Sequence, residues 1–320
     1  MKKTERLVYY YDLSISANSR TFPAPKPISV RKAFELMQLV PIDKRTKSIA
    51  KESELLYISD WKISNGIISI LINKSDKGIS DPVFTIPEEK KRRTAEKTGK
   101  EGQDFSVHLV IRLPNDDLQP ALVIVEHCNG LGVFTILKLL NQILSDATQL
   151  SPGDFEQTHP DGAVDSSGKP KKYNVVFKCI FDGHISDDLK HDLDHGKFQS
   201  IELITEKDRF TSFDDDGYIV EKCKTLVLTL DDSDTQVSNL YDRILRLIKK
   251  QNKDYSKAKI KFKTETGLDR TVNMDTAEGL ALAYVKKEKL DGFNVNLESS
   301  YEKFNNTILA KMEALLSQET

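Results

Sequence analysis

Apolar positions recur along this chain at two periods, near two and near four residues, and the switches between them predict strands and helices. Residues 6–15, rich in tyrosine and β-branched side chains, read as a strand. After a proline-punctuated loop, Ser29 stands as the N-cap of a helix in which Ala33, Phe34, Met37 and Val40 recur at helical spacing, and Pro41 marks its end. Segments 55–63 and 67–72 are apolar strands flanking Ser64-Asn65-Gly66. Asn-Gly there predicts a hairpin, because both residues tolerate positive φ. Segment 88–103 turns polar and carries Lys90, Lys91, Arg92, Arg93, Lys97 and Lys100, the pattern expected of a mobile loop. A second strand pair, 105–113 and 121–126, brackets Pro114-Asn115-Asp116-Asp117. Segment 133–144 follows as an amphipathic helix with Ile136, Leu137, Leu140 and Leu144 on one face.

Segment 151–172 is rich in Pro, Gly, Ser and Asp and reads as a linker or exposed loop. Strands are predicted beyond it at 173–181, 198–205 and 220–230, with a helix at 237–248. A lysine-rich strand at 257–264, a helix near 277–286 and a terminal helix at 301–316 complete the order, with no internal repeat. The fold class expected is α+β, two domains built from mainly antiparallel sheets with packed helices. The boundaries expected are 1–150 for the N-terminal domain with its basic loop at 88–103, 151–172 for the linker, and 173–320 for the C-terminal domain.

The length of 320 residues agrees with two domains, and 38% hydrophobic with 30% charged residues fits a folded chain with a well-solvated surface. A formal net charge of −2 gives the whole molecule no basic field, so affinity for a polyanion has to come from local clusters. Cys128, Cys179 and Cys223 are odd in number and widely spaced, which excludes a disulfide framework and a CxxC zinc site and points to a reducing compartment. Glu5, Arg6 and Asp12 interrupt the first apolar run, unlike the h-region of a signal peptide. The longest apolar stretch, 131–144, is too short to span a bilayer. A cytoplasmic protein is the expectation.

The clearest functional pattern is the strand in which Lys257, Lys259, Lys261 and Lys263 alternate with Ala258, Ile260, Phe262 and Thr264. A period of two puts all four amines on one face, neighbours about 6.5–7 Å apart, close to the spacing of successive phosphates on one nucleic-acid strand. Lys249, Lys250 and Lys253 precede them at a helix end and would extend the surface, and Lys90, Lys91, Arg92 and Arg93 supply a second cluster. Each cluster has a plainer reading: lysines on an exposed strand prevent edge-to-edge aggregation, lysines at a helix C-terminus complement its dipole, and a basic run is commonly a solvated loop.

Other residues offer candidate chemistry. His184, His191 and His195 sit among Asp182, Asp187, Asp188, Asp192 and Asp194, and a helix over 187–194 would set His191 and His195 one turn apart as metal ligands of a hydrolase or nuclease. The competing reading is a solvated Asp/His helix without HExxH spacing. Glu126-His127-Cys128 places a thiol beside a base, against a strand-to-helix turn with a buried cysteine. Asp214-Asp215-Asp216-Gly217 lacks the remaining ligands of a calcium loop, and with no Walker loop or GxGxxG the chain carries no signature of a nucleotide cofactor. A third class, an interaction module, rests on the terminal helix, where Phe304, Ile308, Met312 and Leu315 or Leu316 form an apolar stripe.

Two stretches resemble the RexA-type exclusion proteins of phage lambda and, more loosely, the DNA-binding members of two-component phage-defence systems. One is Leu56-Tyr57-Ile58-Ser59-Asp60-Trp61-Lys62-Ile63-Ser64-Asn65-Gly66 with the strand after it and Asn73-Lys74-Ser75-Asp76-Lys77. The other is the C-terminal order of strand, helix, lysine strand, Glu265-Thr266-Gly267-Leu268-Asp269 and two further helices. The resemblance covers about half of the chain and implies a cytoplasmic homodimer that binds double-stranded DNA through its backbone, without catalysis, and signals to a membrane effector. The basic loop and the acidic segment 151–172 depart from that pattern.

Overall fold

The computed structural model describes residues 2–50, 53–116, 119–164, 166–184, 187–212, 220–230, 240–251, 254–265, 267–276 and 285–319. The fold is α+β with antiparallel sheets, and it divides into two compact units, Met1–Phe181 with Glu288–Thr320, and Asp182–Lys287. The first unit contains β1 (Arg6–Asn18), α1 (Val30–Leu39), β2 (Thr46–Ile49), β3 (Glu54–Ser64), β4 (Ile67–Asp76), β5 (Val83–Ile86), β6 (Lys91–Thr94), β7 (Gln103–Arg112), β8 (Ala121–Glu126), α2 (Val133–Leu150), β9 (Glu156–Thr158), β10 (Lys172–Asn174) and β11 (Val176–Gly183). The second contributes α3 (Asp187–His195), β12 (Lys197–Ser212), β13 (Val220–Leu228), α4 (Leu240–Lys250), β14 (Lys257–Lys263) and β15 (Asp269–Asp275). The chain then returns to the first through β16 (Lys287–Leu290) and α5 (Asn306–Gln318).

The domain boundary therefore differs from the expected one. Segment 151–172 is folded into the first unit: Phe155 is buried, β9 pairs with β10, Asp154 pairs with Lys32 at 2.9 Å, and the Tyr173 hydroxyl donates to Gln157. The expected strand at 173–181 is two strands, of which β11 joins the main sheet beside β1. The terminal helix also belongs to the first unit.

The main sheet has the order β11-β1-β8-β7-β4-β3-β2, with β16 on β1. Its β3–β4 hairpin forms where Asn-Gly demands it, with Asn65 at φ 51° and Gly66 at φ 75°. The β8 strand is buried at every position, as expected of a strand covered on both faces. Helices α1 and α2 pack together and reach β1 and β2. Ser29 caps α1 by accepting from the Lys32 amide at 3.2 Å. The Asn141 side chain of α2 bonds both backbone groups of Cys179 in β11, satisfying donors and acceptors there.

The C-terminal segment is registered along one face of β7. Asp104 accepts from the Ser300 hydroxyl, Ser106 Oγ from the Tyr301 amide at 2.9 Å, and His108 Nε2 from the Asn305 amide at 3.0 Å. Val110 packs in the cluster containing Ile308, Met312 and Leu316, and Arg112 donates to two carbonyls at the C-terminal end of α5, those of Leu316 and the C-cap Glu319. Residues at 104, 106, 108, 110 and 112 share one strand face, so alternate side chains of β7 follow the returning chain in order. The helix expected over 301–316 starts instead at Asn306, because Asn305 is its N-cap and residues before it are held by these bonds. Ile308, Met312 and Leu316 bury against Val8, Tyr10, Val110, Leu122 and Ile124, about 1.5–3 kcal/mol for each large side chain. The stripe named for an interaction module is thus spent inside its own unit.

Beneath this seam lies a buried polar chain. Glu126 accepts from Arg6 Nε at 2.8 Å, from the His108 amide at 3.1 Å and from His108 Nδ1 at 2.6 Å. Since His108 Nε2 accepts the Asn305 amide, the ring proton sits on Nδ1 and the imidazole is neutral.

Candidate nucleic-acid interface

The second unit is a four-stranded sheet, β13-β12-β14-β15, with one face packed against α3 and α4. Ala258, Ile260 and Phe262 of β14 meet Ile201, Leu203, Val272 and Met274 of the neighbouring strands and Leu193, Leu240, Ile244 and Ile248 of the helices. Strand alternation then sends Lys257, Lys259, Lys261 and Lys263 to the other face. The segment is extended, as its alternation requires. Because β14 lies between β12 and β15, the edge-protection reading does not apply; the edge strands are β13 and β15.

Three i to i+2 steps make the lysine row about 20 Å long. Neighbouring ammonium groups at that spacing repel by about 0.6 kcal/mol per pair even in water. Part of this is offset within the sheet. Lys261 pairs with Glu202 of β12 at 2.5 Å, and Lys263 lies 3.9 Å from Asp269 of β15. Glu202 is held below the usual carboxylate range by the Lys261 hydrogen bond, then by the charges of Lys261 and Lys259. The Lys261 and Lys263 side chains remain 41% and 44% exposed. Lys197, opposite Lys263 on β12, adds a fifth lysine to this face. Lys197 escaped the sequence reading because cross-strand register is not written locally; its signal was a lysine opening the next apolar strand.

The other predicted cations are placed elsewhere. Lys250 ends α4, the helix packed on the apolar face, so it does not continue the lysine row. The side chain of Lys249 and all of Lys253 lie outside the described residues. Lys90, Lys91, Arg92 and Arg93 belong to the first unit. They form not a loop but the turn and second strand of the β5–β6 ribbon, in which Lys91 pairs with Glu89 at 2.6 Å and the Arg93 guanidinium lies 4.9 Å from the Phe84 ring centre.

The histidines do not converge on a shared centre. The rings of His191 and His195 stack with centroids 4.4 Å apart, one turn apart on α3 as predicted. His191 Nε2 faces Glu265 at 3.1 Å and His195 Nδ1 faces the His191 carbonyl at 3.2 Å. His184 precedes α3, its carbonyl accepting from the Lys286 amide. Among the described residues, no three His, Cys, Asp or Glu side chains are placed to hold a metal ion. The Cys128 thiol is buried and pushed up to about 11 by desolvation and by Glu126, with Sγ donating to the Asn129 carbonyl, which fits a packed turn rather than a nucleophile. Residues 214–217 and 277–284 lie outside the described residues, so the acidic turn and most of the predicted helix there are not described.

A cavity of about 390 Å³ opens beside Lys2, Glu5, Arg6, Leu7, His127 and Asn129. Its arginine is committed: Arg6 donates to Glu126 and to the carbonyls of Lys2, Glu5 and Glu298. Among the described residues, no helix is long and apolar enough to cross a membrane. Comparisons with family models, with curated proteins and with solved structures find no match.

Proposed function

We propose that the chain is a non-enzymatic, largely sequence-independent DNA-binding protein that lays the lysine face of its second unit along the phosphate backbone of double-stranded DNA. The observation that carries this reading is the row Lys257, Lys259, Lys261 and Lys263 on the open face of an interior strand, whose opposite face is fully engaged in the core. Ammonium groups at phosphate-like spacing neutralise a backbone without reading base edges, so affinity depends on salt and hardly on sequence. The RexA-type resemblance adds the setting: a cytoplasmic role in phage exclusion or anti-phage defence, as a homodimer acting with a membrane effector.

The test is binding of the full chain to two duplexes of unrelated sequence at low salt, measured by fluorescence anisotropy. Both should bind with similar affinity, and Lys257→Gln/Lys259→Gln/Lys261→Gln/Lys263→Gln should weaken both alike. Lack of binding by the unaltered chain, or unchanged binding by the variant with its fold intact by circular dichroism, overturns the reading.

A further inference from the structure

Residues 83–94 form a two-stranded ribbon in which every residue is exposed, including Val83, Phe84 and Ile86 at 50%, 53% and 50%. A lone hairpin of this size is marginal in water, and three exposed large apolar side chains add nothing to its stability. Yet it is built with care. A turn at Pro87 to Lys90 closes it, the Lys90 amide bonding the Pro87 carbonyl at 3.3 Å with Lys90 at φ 54°. Val83 pairs Thr94, Phe84 pairs Arg93, Thr85 pairs Arg92 and Ile86 pairs Lys91.

The pairing sorts the side chains into two faces. Phe84, Ile86, Lys91 and Arg93 share one, and Val83, Thr85, Arg92 and Thr94 share the other. Cations therefore leave both faces of β6. A flat anionic surface such as a lipid bilayer would be met by charge on one face alone. Charge on both faces fits a cleft with phosphates on both walls. The major groove of B-DNA, about 12 Å wide, admits a two-stranded β-ribbon, whereas the minor groove, about 6 Å wide, does not. The Phe84 ring under the Arg93 guanidinium limits where that cation can go, lowering the entropy lost on contact.

We infer that the β5–β6 ribbon is a second DNA-contacting element, a blade that enters the major groove with Arg92 toward one wall and Lys91 and Arg93 toward the other. This rests on the DNA-binding reading but on different residues in a different unit, so the ribbon can fail while that reading stands.

The experiment measures binding of the full chain to a duplex across a salt series, beside protection of guanine N7 from methylation in the major groove. Arg92→Ala/Arg93→Ala removes two phosphate contacts and is expected to make the slope of log K against log salt shallower by about 1.8. Guanine protection seen with the unaltered chain should vanish with the variant. An unchanged slope and unchanged protection, in a chain whose lysine-face variant does lose binding, sinks the ribbon and leaves the proposed function standing. Absence of guanine protection in the unaltered complex sinks groove entry. If the unaltered chain binds no DNA, both readings fall; capture of anionic vesicles by the ribbon would then assign it to a membrane instead.

Discussion

Glu126→Gln isolates the contribution of the buried chain under the C-terminal seam. The carboxylate now accepts three bonds, from Arg6, from the His108 amide and from His108 Nδ1, with both the Arg6 and Glu126 side chains 1% exposed or less. A glutamine has one accepting oxygen and one donating nitrogen. With the oxygen toward Arg6, the nitrogen confronts two N–H donors of His108. Flipped, it confronts Arg6. The imidazole cannot resolve the conflict by moving its proton, because Nε2 must accept the Asn305 amide that begins α5. Removing one partner of a buried ion pair costs about 3–5 kcal/mol. For a unit of this size that corresponds to a fall in unfolding temperature of roughly 6–20 °C. Urea denaturation followed by far-ultraviolet circular dichroism measures it. Arg6→Met should cost less in the Glu126→Gln background than alone, since its partner's charge is already gone. A loss below about 1 kcal/mol for Glu126→Gln, or strict additivity with Arg6→Met, would refute the shared network.

Three further outcomes are expected. Burial, and then Asp104, raises Tyr57 to about 12, and burial raises Tyr11 to about 12, whereas an unfolded tyrosine ionises near 10. Their contribution is intact below about pH 10 and lost as pH rises toward 12, so unfolding temperature should fall across that window. Tyr57→Phe should flatten the fall and cost about 1 kcal/mol at neutral pH; an equally steep fall contradicts the assignment. A thiol reagent at neutral pH should modify Cys223 quickly and Cys128 and Cys179 only after denaturation, because the first is exposed and the others buried; two fast thiols would contradict this. A Cβ at Gly196 would overlap the carbonyl oxygens of Asp192 and Lys263, so Gly196→Ala should destabilise the second unit by about 1–3 kcal/mol in chemical denaturation, and a neutral result would show the α3–β12 junction to be slack.

What could be read from the chain was whatever its local pattern dictates. Asn65-Gly66 fixes a hairpin by φ alone, and the alternation over 257–263 fixes both the extended backbone and the lysine face. The ribbon was missed because its strands are four residues long and the second, Lys91–Thr94, has no apolar position for periodicity to detect. The linker expected at 151–172 was misjudged because its polar composition hides the few anchors, Phe155, Gln157 and Tyr173, that fold it back. Lys250 was grouped with the lysine row because nearness in sequence does not say which side of a sheet a helix takes. The return of β16 and α5 to the first unit is a long-range pairing, and no local residue announces it. It did leave a trace: Asp104, Ser106 and His108 are polar positions alternating with Phe105, Val107 and Leu109, a row that marks where another backbone docks.

The central claim is that the open lysine face neutralises phosphates, and the salt dependence of duplex binding addresses it most directly. If Lys257, Lys259, Lys261 and Lys263 each displace one counterion, converting all four to glutamine should make the slope of log K against log salt shallower by about 3.6. A slope unchanged by the substitution, in a chain that still binds and still folds, would place the DNA on some other surface and contradict the account.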